Sequence, residues 1–201
     1  MEDRRHMEIK MLCSAGLSEA LFGIGLSFGL TSGEPCWGAL TDGMQVRLKE
    51  IASRLCRRGG GEDKFLRQIM FWWDVRAPRY WWCEADTYKV GTTAQSESTM
   101  HRITGRPLLP DDFEGDMHAV DLGRLNGLIA EFNNLRGNAG TFLRLKNALP
   151  EGYLQRRIWT LSLANMKNIY AQRKNHRLPQ WHVACKAFAE ATPDFLRGMY
   201  E

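Results

Sequence analysis

An apolar, aromatic run at residues 69–75 constrains the fold of this chain more than any other segment. Ile69–Val75 combines β-branched and aromatic residues, which favour extended backbone and a buried place in a sheet. Three consecutive glycines, residues 59–61, end the segment before it, and Pro78 stops the run. The sequence therefore predicts a sheet with at least one buried strand, which other segments must cover.

The other segments predict a mixture of helices with a second strand. Glu8–Cys13 alternates in polarity, as a short strand does. Asp63 is expected to cap a helical turn that begins at Lys64. Thr92–Thr99 is polar and predicts a loop. We expect an α+β fold in one domain that covers residues 1–201. The predicted helices are Ser18–Leu30, Met44–Arg58, Asp121–Arg136, Leu161–Lys174 and Gln180–Glu190.

Charge and cysteine content narrow the possible functions. The net charge of +4 suits small anionic ligands but is too low to indicate a nucleic-acid-binding protein by itself. The five cysteines include no CxxC pair, and His182 with Cys185 lacks a second pair of ligands. This pattern argues against a disulfide framework and a zinc site, and it favours a reducing, cytoplasmic setting.

The sequence also lacks the signals of several common protein classes. Residues 1–10 have no apolar core of a signal peptide, and the apolar run Leu21–Leu30 is too short to span a bilayer. We therefore expect no membrane association. The patterns GxxxxGK[ST], GxSxG and HExxH are absent, which removes the P-loop, the serine-hydrolase elbow and the zincin helix from consideration.

The segment from residue 156 to residue 181 is the strongest functional signal. The pattern predicts one largely helical segment that carries arginines, an amide and indoles. Among these side chains are Arg156, Asn168, Arg173 and Trp181. A nucleotide phosphate is a dianion, and the planar fork of an arginine binds two of its oxygens at once. The pattern favours a nucleotide ligand. The alternative is that these arginines are solvated charges on helix surfaces.

Two further features are compatible with a nucleotide. Hydroxyl side chains recur within Thr92–Thr99 and could bind phosphate, although an ordinary polar loop has the same composition. The like charge of Arg173 and Arg177 disfavours the charged form of His176, which would leave a neutral donor and acceptor for a ligand. Alternatively, His176 bonds the last carbonyl groups of a helix.

The order and spacing of these residues resemble the flavin-dependent thymidylate synthases. Leu149-Pro150 looks like the Leu-Pro that precedes the nucleotide-binding helix of that family, and Lys146 stands where the family has an arginine. Phe71–Pro78 looks like the strand that leads into the main motif, and Ser27-Phe28 resembles a short motif on the flavin side. The residues that follow in order are Trp159, Thr160, Asn168 and Arg173, and then, after one extra residue, Gln180 and Trp181.

The resemblance implies a site for a pyrimidine nucleotide and FAD. Lys146, with Arg156 as the second candidate, would approach the phosphate of dUMP. Arg173 would lie near the flavin ring and the uracil carbonyl groups, and Asn168 would supply amide hydrogen bonds. The other implied contacts are Glu84, Ser96 and Ser98 with the substrate, and Ser27, Lys89, Thr92 and His176 with the cofactor.

The same resemblance implies how the chemistry is divided. In that family the reduced flavin performs the chemistry, methylenetetrahydrofolate donates the carbon, and the protein positions the ligands. No catalytic side chain is assigned for this reason. The resemblance also implies a homotetramer with ligand sites between subunits.

The main motif of the family has been replaced in this chain. The motif is Arg-His-Arg, two further residues and Ser, and in register it falls on residues 87–89 and Thr92. Only Lys89 keeps a charge, and Thr92 keeps a hydroxyl. Ser162 and Ala164 stand where the family has an Asn and an Arg.

Three functional hypotheses follow from the sequence. The first is a divergent flavin-dependent thymidylate synthase, or a relative that modifies another pyrimidine nucleotide. The second is a non-catalytic nucleotide-binding or interaction protein on the same scaffold that has lost the flavin site. The third and weakest is a nucleic-acid binder that uses the basic segment and exposed aromatic rings.

Overall fold

The computed structural model of the chain describes residues 7–33, 35–135 and 137–201. The fold is α+β, as predicted, with four antiparallel strands in the order β1-β2-β4-β3. The strands are β1 Glu8–Ala15, β2 Met70–Pro78, β3 Thr92–Ser96 and β4 Leu154–Ser162. The α-helices are α1 Leu17–Ser27, α2 Asp42–Leu55, α3 Arg79–Ala85, α4 Ala119–Asn134, α5 Ala139–Ala148, α6 Leu163–Arg173 and α7 Pro179–Ala191. Short 3-10 helices cover Trp37–Ala39, Lys64–Arg67, Pro110–Asp112 and Asp194–Tyr200.

The chain forms two compact units, each built from separate stretches of sequence. The α4–α5 unit contains residues 7–8, Val75–Thr87 and Gln95–Ile158. The α6–α7 unit contains Ile9–Asp74, Tyr88–Ala94 and Trp159–Glu201. That the whole chain acts as one domain stays a prediction.

Aromatic rings form the centre of the α6–α7 unit. The ring of Trp73 on β2 stacks with Phe71 at 6.2 Å and meets Phe188 of α7 at 5.2 Å. Trp159 of β4 contacts the same Phe188 at 6.3 Å. All four side chains are buried. The burial of the aromatic run agrees with its prediction as a buried strand, because large flat side chains contribute much apolar area when a sheet face is covered.

Two helices with a shared apolar core dominate the α4–α5 unit. Leu125, Leu128 and Ile129 of α4 belong to the same buried cluster as Leu145 of α5 and Leu149 beyond it. Helix α5 was absent from the predicted elements. Its start is nevertheless encoded locally, because the side chain of Asn138 accepts hydrogen bonds from the amides of Gly140 at 2.9 Å and Thr141 at 3.2 Å.

Helix α4 begins earlier than predicted. Its N-cap is His118, whose side chain accepts from the amide of Val120 at 3.3 Å, whereas Asp121 lies within the first turn. The predicted end of this helix at Arg136 lies outside the described residues. Gly137 beyond it has a φ of 83°, which is typical of the residue that follows a helix.

Two segments were assigned the wrong secondary structure from sequence. Residues 156–160 belong to strand β4 and not to a helix, and the first part of Thr92–Thr99 is strand β3 and not a loop. Both contain adjacent β-branched or aromatic residues, Thr92-Thr93 in β3 and Ile158-Trp159-Thr160 in β4, and a neighbouring strand supplies the hydrogen bonds that the sequence alone does not reveal. Helix α6 starts only after Ser162, whose hydroxyl accepts from the amide of Asn165 at 3.2 Å.

Asp63 does not cap the turn that follows it. Its carboxylate accepts a hydrogen bond of 2.6 Å from Lys167 Nζ, and no side-chain cap is present at Lys64–Arg67. Within the described ranges, no helix is long and apolar enough to cross a membrane.

Gly16 provides a test of how β1 connects to α1. It has a φ of 88°, and a Cβ at this position would collide with the carbonyl oxygen of Gln68. We expect Gly16→Ala to reduce the free energy of unfolding by about 3 kcal/mol, because backbone strain and the collision add together. Urea denaturation measures this loss.

Gly29 is the matched control. Its φ is 64°, but a Cβ there would meet no atom within 4 Å. Gly29→Ala should therefore reduce the free energy of unfolding by only about 1 kcal/mol, because the backbone strain of a positive φ is its only effect. Equal losses in the two variants would contradict the packing assigned to Gly16.

Candidate functional site

Lys146 on α5 is the candidate phosphate ligand with the most informative surroundings. The side chain is half-buried, and Nζ donates a 2.6 Å hydrogen bond to the hydroxyl of Thr99. Within the described chain, no carboxylate lies at ion-pair distance from this amine. Burial and the nearby positive charge of Arg79 both lower the pKa of Lys146 from 10.5. This cation is thus paired only with a neutral group.

Arg79 has partners of its own. It reaches the carbonyl oxygen of Leu149 at 3.4 Å and the carboxylate of Glu151 at 3.1 Å. Glu151 is largely exposed, so water screens much of this ion pair. Two cations therefore lie close enough for their charges to interact, and the carboxylate paired with Arg79 is exposed, so an anionic ligand would stabilise this arrangement.

The serines and threonines predicted to contact the nucleotide lie at and beyond the end of β3. Ser96 is its exposed last residue. Ser98 accepts hydrogen bonds of 3.2 Å from the amides of Met100 and His101, which fixes the turn that follows. Thr99 contacts Lys146. Of the two serines, Ser98 thus has a structural role in the turn, whereas the hydroxyl of Ser96 lies on the surface.

The two adjacent arginines of β4 differ in their surroundings. Arg157 donates to Asp86 at 2.9 Å and to Gln155 at 3.2 Å, and its guanidinium lies 4.3 Å from the centre of the Trp82 ring. These contacts satisfy Arg157 within the protein. Arg156 is exposed, and its carbonyl oxygen accepts from the amide of Glu97 at 2.8 Å. Arg156 is the more exposed of the two and is therefore the more accessible to a ligand.

Glu84 lies on α3, where a contact with the base was expected. Its side chain is half-buried, and its carbonyl oxygen accepts a 2.7 Å hydrogen bond from the Thr87 hydroxyl. The α4–α5 unit thus contains all the predicted substrate residues except Arg173.

Arg173, at the end of α6, is held between two aromatic rings. Its Nε donates to the hydroxyl of Tyr88 at 2.8 Å, and the guanidinium lies 4.9 Å from the ring of Trp181 and 5.5 Å from that of Tyr88. Tyr88 in turn donates to Gln172 at 3.0 Å, and Gln172 donates to Asn168 at 2.9 Å. These contacts, here called the Arg173 network, hold the guanidinium of Arg173 in one position. An arginine on the surface without such partners would be flexible.

Tyr88 and Gln172 were not predicted as site residues. Tyr88 occupies the position of the histidine in the family motif. This alignment with the motif was the one feature of the sequence that could have indicated Tyr88 as a site residue. The pairing of Tyr88 with Arg173 could not be foreseen, because 85 positions separate the two residues in the sequence.

The remaining predicted cofactor residues lie in the same unit as Arg173. His176 accepts from the amide of Leu178 at 3.2 Å, and its ring meets Trp181 edge-on at 6.4 Å. The hydroxyl of Thr92 donates to the carbonyl oxygen of Tyr88, and Lys89 is exposed. Ser27, the exposed last residue of α1, lines a cleft of about 1000 Å³.

The similarity of this chain to known proteins is found in its fold. No model of a known protein family matches it, and no curated protein matches it. Solved structures do match. Flavin-dependent thymidylate synthase ThyX from Helicobacter pylori, complexed with FAD and dUMP, has a TM-score of 0.73 and 14% identity over 96% of this chain and 98% of that chain.

Two further structures agree with that match. A second structure of ThyX from Helicobacter pylori with FAD and dUMP has a TM-score of 0.69 and 16% identity, and 97% of each chain is covered. The UMP/dUMP methylase PolB from Streptomyces cacaoi, bound with 5-Br UMP, has a TM-score of 0.59 and 13% identity over 98% of this chain and 96% of that chain.

The chain has the fold of the flavin-dependent thymidylate synthases. The resemblance inferred from short motifs is thereby confirmed for the fold. An identity of 13–16% carries the thymidylate synthase fold and not the activity, which depends on the side chains of the site.

The donor set around Arg173 fits the ring of a flavin in chemical terms. It offers a cation over the faces of two aromatic rings, the amide of Asn168 linked to it through Gln172 and Tyr88, and the imidazole of His176 edge-on to Trp181. A fixed positive charge favours the reduced, anionic form of such a ring. Lys89 is the one cation at the positions of the Arg-His-Arg motif, so these residues supply less charge for the phosphates of a dinucleotide. In the described chain, no three His, Cys, Asp or Glu side chains are grouped so as to hold a metal ion.

The pKa of Lys146 offers a direct test of its surroundings. We expect its amine to lose its proton below pH 10.5, because burial and Arg79 disfavour the charged form. The folded state then binds this proton less tightly than the unfolded state. At neutral pH this difference lowers the free energy of unfolding by its full amount. The loss disappears as the pH rises through the lowered pKa towards 10.5.

NMR titration of isotope-labelled lysine side chains measures this pKa, with Lys146→Arg used to assign the signal. Arg79→Met should raise the pKa part of the way back, since burial remains. A titration midpoint at or above 10.5 in the wild-type protein would contradict the environment described for Lys146.

Proposed function

We propose that this protein binds a pyrimidine nucleoside monophosphate and that Lys146 holds its phosphate. The single observation that supports this most is the half-buried Lys146 amine, bonded to a hydroxyl and close to Arg79. A phosphate dianion would offset the repulsion between these two cations and would accept from the amine and from the Thr99 hydroxyl.

The other residues of the α4–α5 unit complete the proposed nucleotide site. Arg156 is an exposed cation that would serve as a second phosphate ligand. Ser96 would hydrogen-bond the nucleotide, and Ser98 would hold the turn in which Thr99 is presented. Glu84 would contact the base, as the family resemblance implies. UMP and dUMP are the ligands named for proteins of the same fold, which supports a pyrimidine base.

We further propose that the nucleotide is methylated with FAD as cofactor and methylenetetrahydrofolate as carbon donor. When bound in its reduced form, the flavin would supply the hydride that reduces the transferred carbon to a methyl group, and it would itself be oxidised to FAD. The protein would bind and orient the ring through the Arg173 network, with Asn168 and His176 as hydrogen-bonding groups. Ser27, Lys89 and Thr92 would contact other parts of the cofactor. The uracil carbonyl groups would also lie near Arg173, as the resemblance implies.

A second candidate function is nucleotide binding without catalysis. The observation that favours it is the hydroxyl of Tyr88, which bonds both Arg173 and Gln172 at a position where the family motif has a histidine. Arg173 would then serve the structure of the protein and not a cofactor. Under either function we propose a homotetramer in the cytoplasm, organised as one domain, without membrane or nucleic-acid partners.

The role of Lys146 can be tested with a nucleotide and its nucleoside. We expect Lys146→Met to weaken dUMP binding on the order of tenfold to a hundredfold, because a charge-assisted hydrogen bond to phosphate is lost. Deoxyuridine is the same nucleoside without the phosphate, so the wild-type protein and the variant should bind it equally. Isothermal titration calorimetry measures both affinities.

Lys186→Met is the control for this experiment. Lys186 is an exposed lysine of α7 that lies 3.8 Å from Glu190, so its removal changes the net charge equally without touching the proposed site. An unchanged dUMP affinity in Lys146→Met, or an equal loss in both variants, would refute the phosphate site.

The visible absorbance spectrum, with and without added FAD, separates the two candidate functions. Under the flavoenzyme proposal, the wild-type protein binds FAD, dUMP accelerates reoxidation of the reduced flavin, and Arg173→Gln lowers FAD affinity by roughly tenfold or more. Arg47→Gln, at an exposed position of α2, should leave affinity unchanged. The absence of bound flavin in every preparation would favour the non-catalytic function.

A further inference from the structure

The surroundings of Lys146 suit a covalent modification as well as a bound anion. We propose that its amine reacts reversibly with carbon dioxide to form a carbamate, and that this modification regulates nucleotide binding. The regulatory part rests on the proposed function, because the carbamate would occupy the place of the nucleotide phosphate. The modification itself rests only on the contacts of Lys146, Thr99 and Arg79, which all belong to the α4–α5 unit.

The reaction is an addition that needs the uncharged form of the amine. The lone pair of Nζ attacks the carbon of carbon dioxide, the electrons of one C–O π bond move to an oxygen, and one proton leaves Nζ for the solvent. The product is an anionic carbamate, and the reverse reaction returns carbon dioxide. Neither an oxidant nor a reductant takes part. An uncharged lysine is a nucleophile, whereas a protonated lysine has no lone pair to donate.

Two features of the site raise the uncharged fraction of this amine. Lys146 is half-buried, and burial disfavours the charged form. The positive charge of Arg79 acts in the same direction, so the pKa of Lys146 lies below 10.5. Within the described chain, no carboxylate lies at ion-pair distance to oppose these two effects. The amine is therefore better prepared to act as a nucleophile than a fully solvated lysine.

The same neighbours would stabilise the carbamate after it forms. The guanidinium of Arg79 would then face an opposite charge, and its planar fork can bind the two oxygens of the carbamate. Its ion pair with Glu151 at 3.1 Å is largely exposed and can give way at little cost. The hydroxyl of Thr99 lies 2.6 Å from Nζ, and a hydroxyl can donate to a carbamate oxygen as well as accept from an amine.

The position of Lys146 along its helix works against an anion, but only weakly. Lys146 lies in the last turn of α5, where unpaired carbonyl groups favour a cation. This preference is modest at a helix end that water reaches. An ion pair with Arg79 at a partly buried site would offset it.

Other lysines show that burial alone does not create such a site. Lys167 is also half-buried, but its Nζ donates to the carboxylate of Asp63 at 2.6 Å. Lys186 lies 3.8 Å from the carboxylate of Glu190. A carbamate at either position would be repelled by the carboxylate beside it. Lys146 differs from both, because its neighbours are a hydroxyl and a second cation.

The carbamate would reverse the charge of the proposed phosphate ligand. The modified side chain would be an anion, and it would repel the phosphate of dUMP. Carbon dioxide and the nucleotide would therefore exclude each other at Lys146. When half of the molecules carry the carbamate, the apparent Kd for dUMP should about double, because only the unmodified half can bind it.

Carbon NMR on the full chain, equilibrated with isotope-labelled bicarbonate, detects the carbamate directly. We expect a carbamate signal that disappears in Lys146→Arg and persists in Lys186→Arg, because a guanidinium is too weak a nucleophile to replace the amine. Saturating dUMP should suppress the same signal in the wild-type protein. If Lys146→Arg loses no signal, the proposal is overturned.

Isothermal titration calorimetry at two partial pressures of carbon dioxide, with pH and ionic strength fixed, tests the regulation. We expect the higher pressure to raise the apparent Kd of the wild-type protein for dUMP in proportion to the carbamate fraction measured by NMR. In Lys146→Arg, whatever its own affinity, the two pressures should give the same Kd. Bicarbonate that merely competes as an anion would weaken both proteins by the same factor, and this result would overturn the proposal.

The outcomes for the carbamate and for the proposed function can be told apart. If Lys146→Met weakens dUMP binding but no carbamate signal depends on Lys146, the carbamate proposal fails and the proposed function stands. If the carbamate forms at Lys146 but neither suppresses nor responds to dUMP binding, the modification site is supported and the phosphate site is refuted.

Discussion

The burial of one face of α6 is the constraint on which the α6–α7 unit depends. Leu163, Met166 and Ile169 recur every third residue along this helix, and all three are fully buried. Because each residue of an α-helix turns by about 100°, burying this face fixes where every other side chain points. Lys167 is thereby directed to the carbonyl oxygen of Arg58, and Arg173 to Tyr88 and Trp181. One apolar stripe thus positions both a structural clamp and a candidate ligand-binding cation.

The surroundings of each cation decide whether it can serve a ligand. Arg157 is surrounded by Asp86, Gln155 and the Trp82 ring, so its charge is already stabilised inside the protein. Lys146 has a hydroxyl for a partner and a second cation nearby. A ligand phosphate would therefore stabilise the charge of Arg157 little further, whereas it would stabilise the charge of Lys146 strongly. The proposed nucleotide site is therefore built around Lys146, whose hydrogen-bond partner is the neutral hydroxyl of Thr99.

Much of the fold could be predicted from local patterns. The aromatic run became β2, and the periodic segments became α1, α2, α4, α6 and α7, with Pro179 in the first turn of α7. Strands β3 and β4 were missed because a polar or arginine-rich strand is stabilised by its neighbours in the sheet, which lie far away in the sequence. The candidate site was predicted in part for the same reason. The motif register proposed Lys146 and Arg173 as ligand contacts, which stays a prediction, but it could not reveal the contacts of Tyr88.

The sequence by itself determined the elements whose signals are local: buried apolar runs, helix periodicity, capping residues and glycine stops. These signals depend on the preferences of a few adjacent residues, so they can be read without knowing the fold. The tertiary structure alone decided which cations have partners, how the Arg173 network is formed, and that Lys146 lies beside Thr99 and Arg79. These properties arise between residues that are distant along the chain, and long-range packing fixes them.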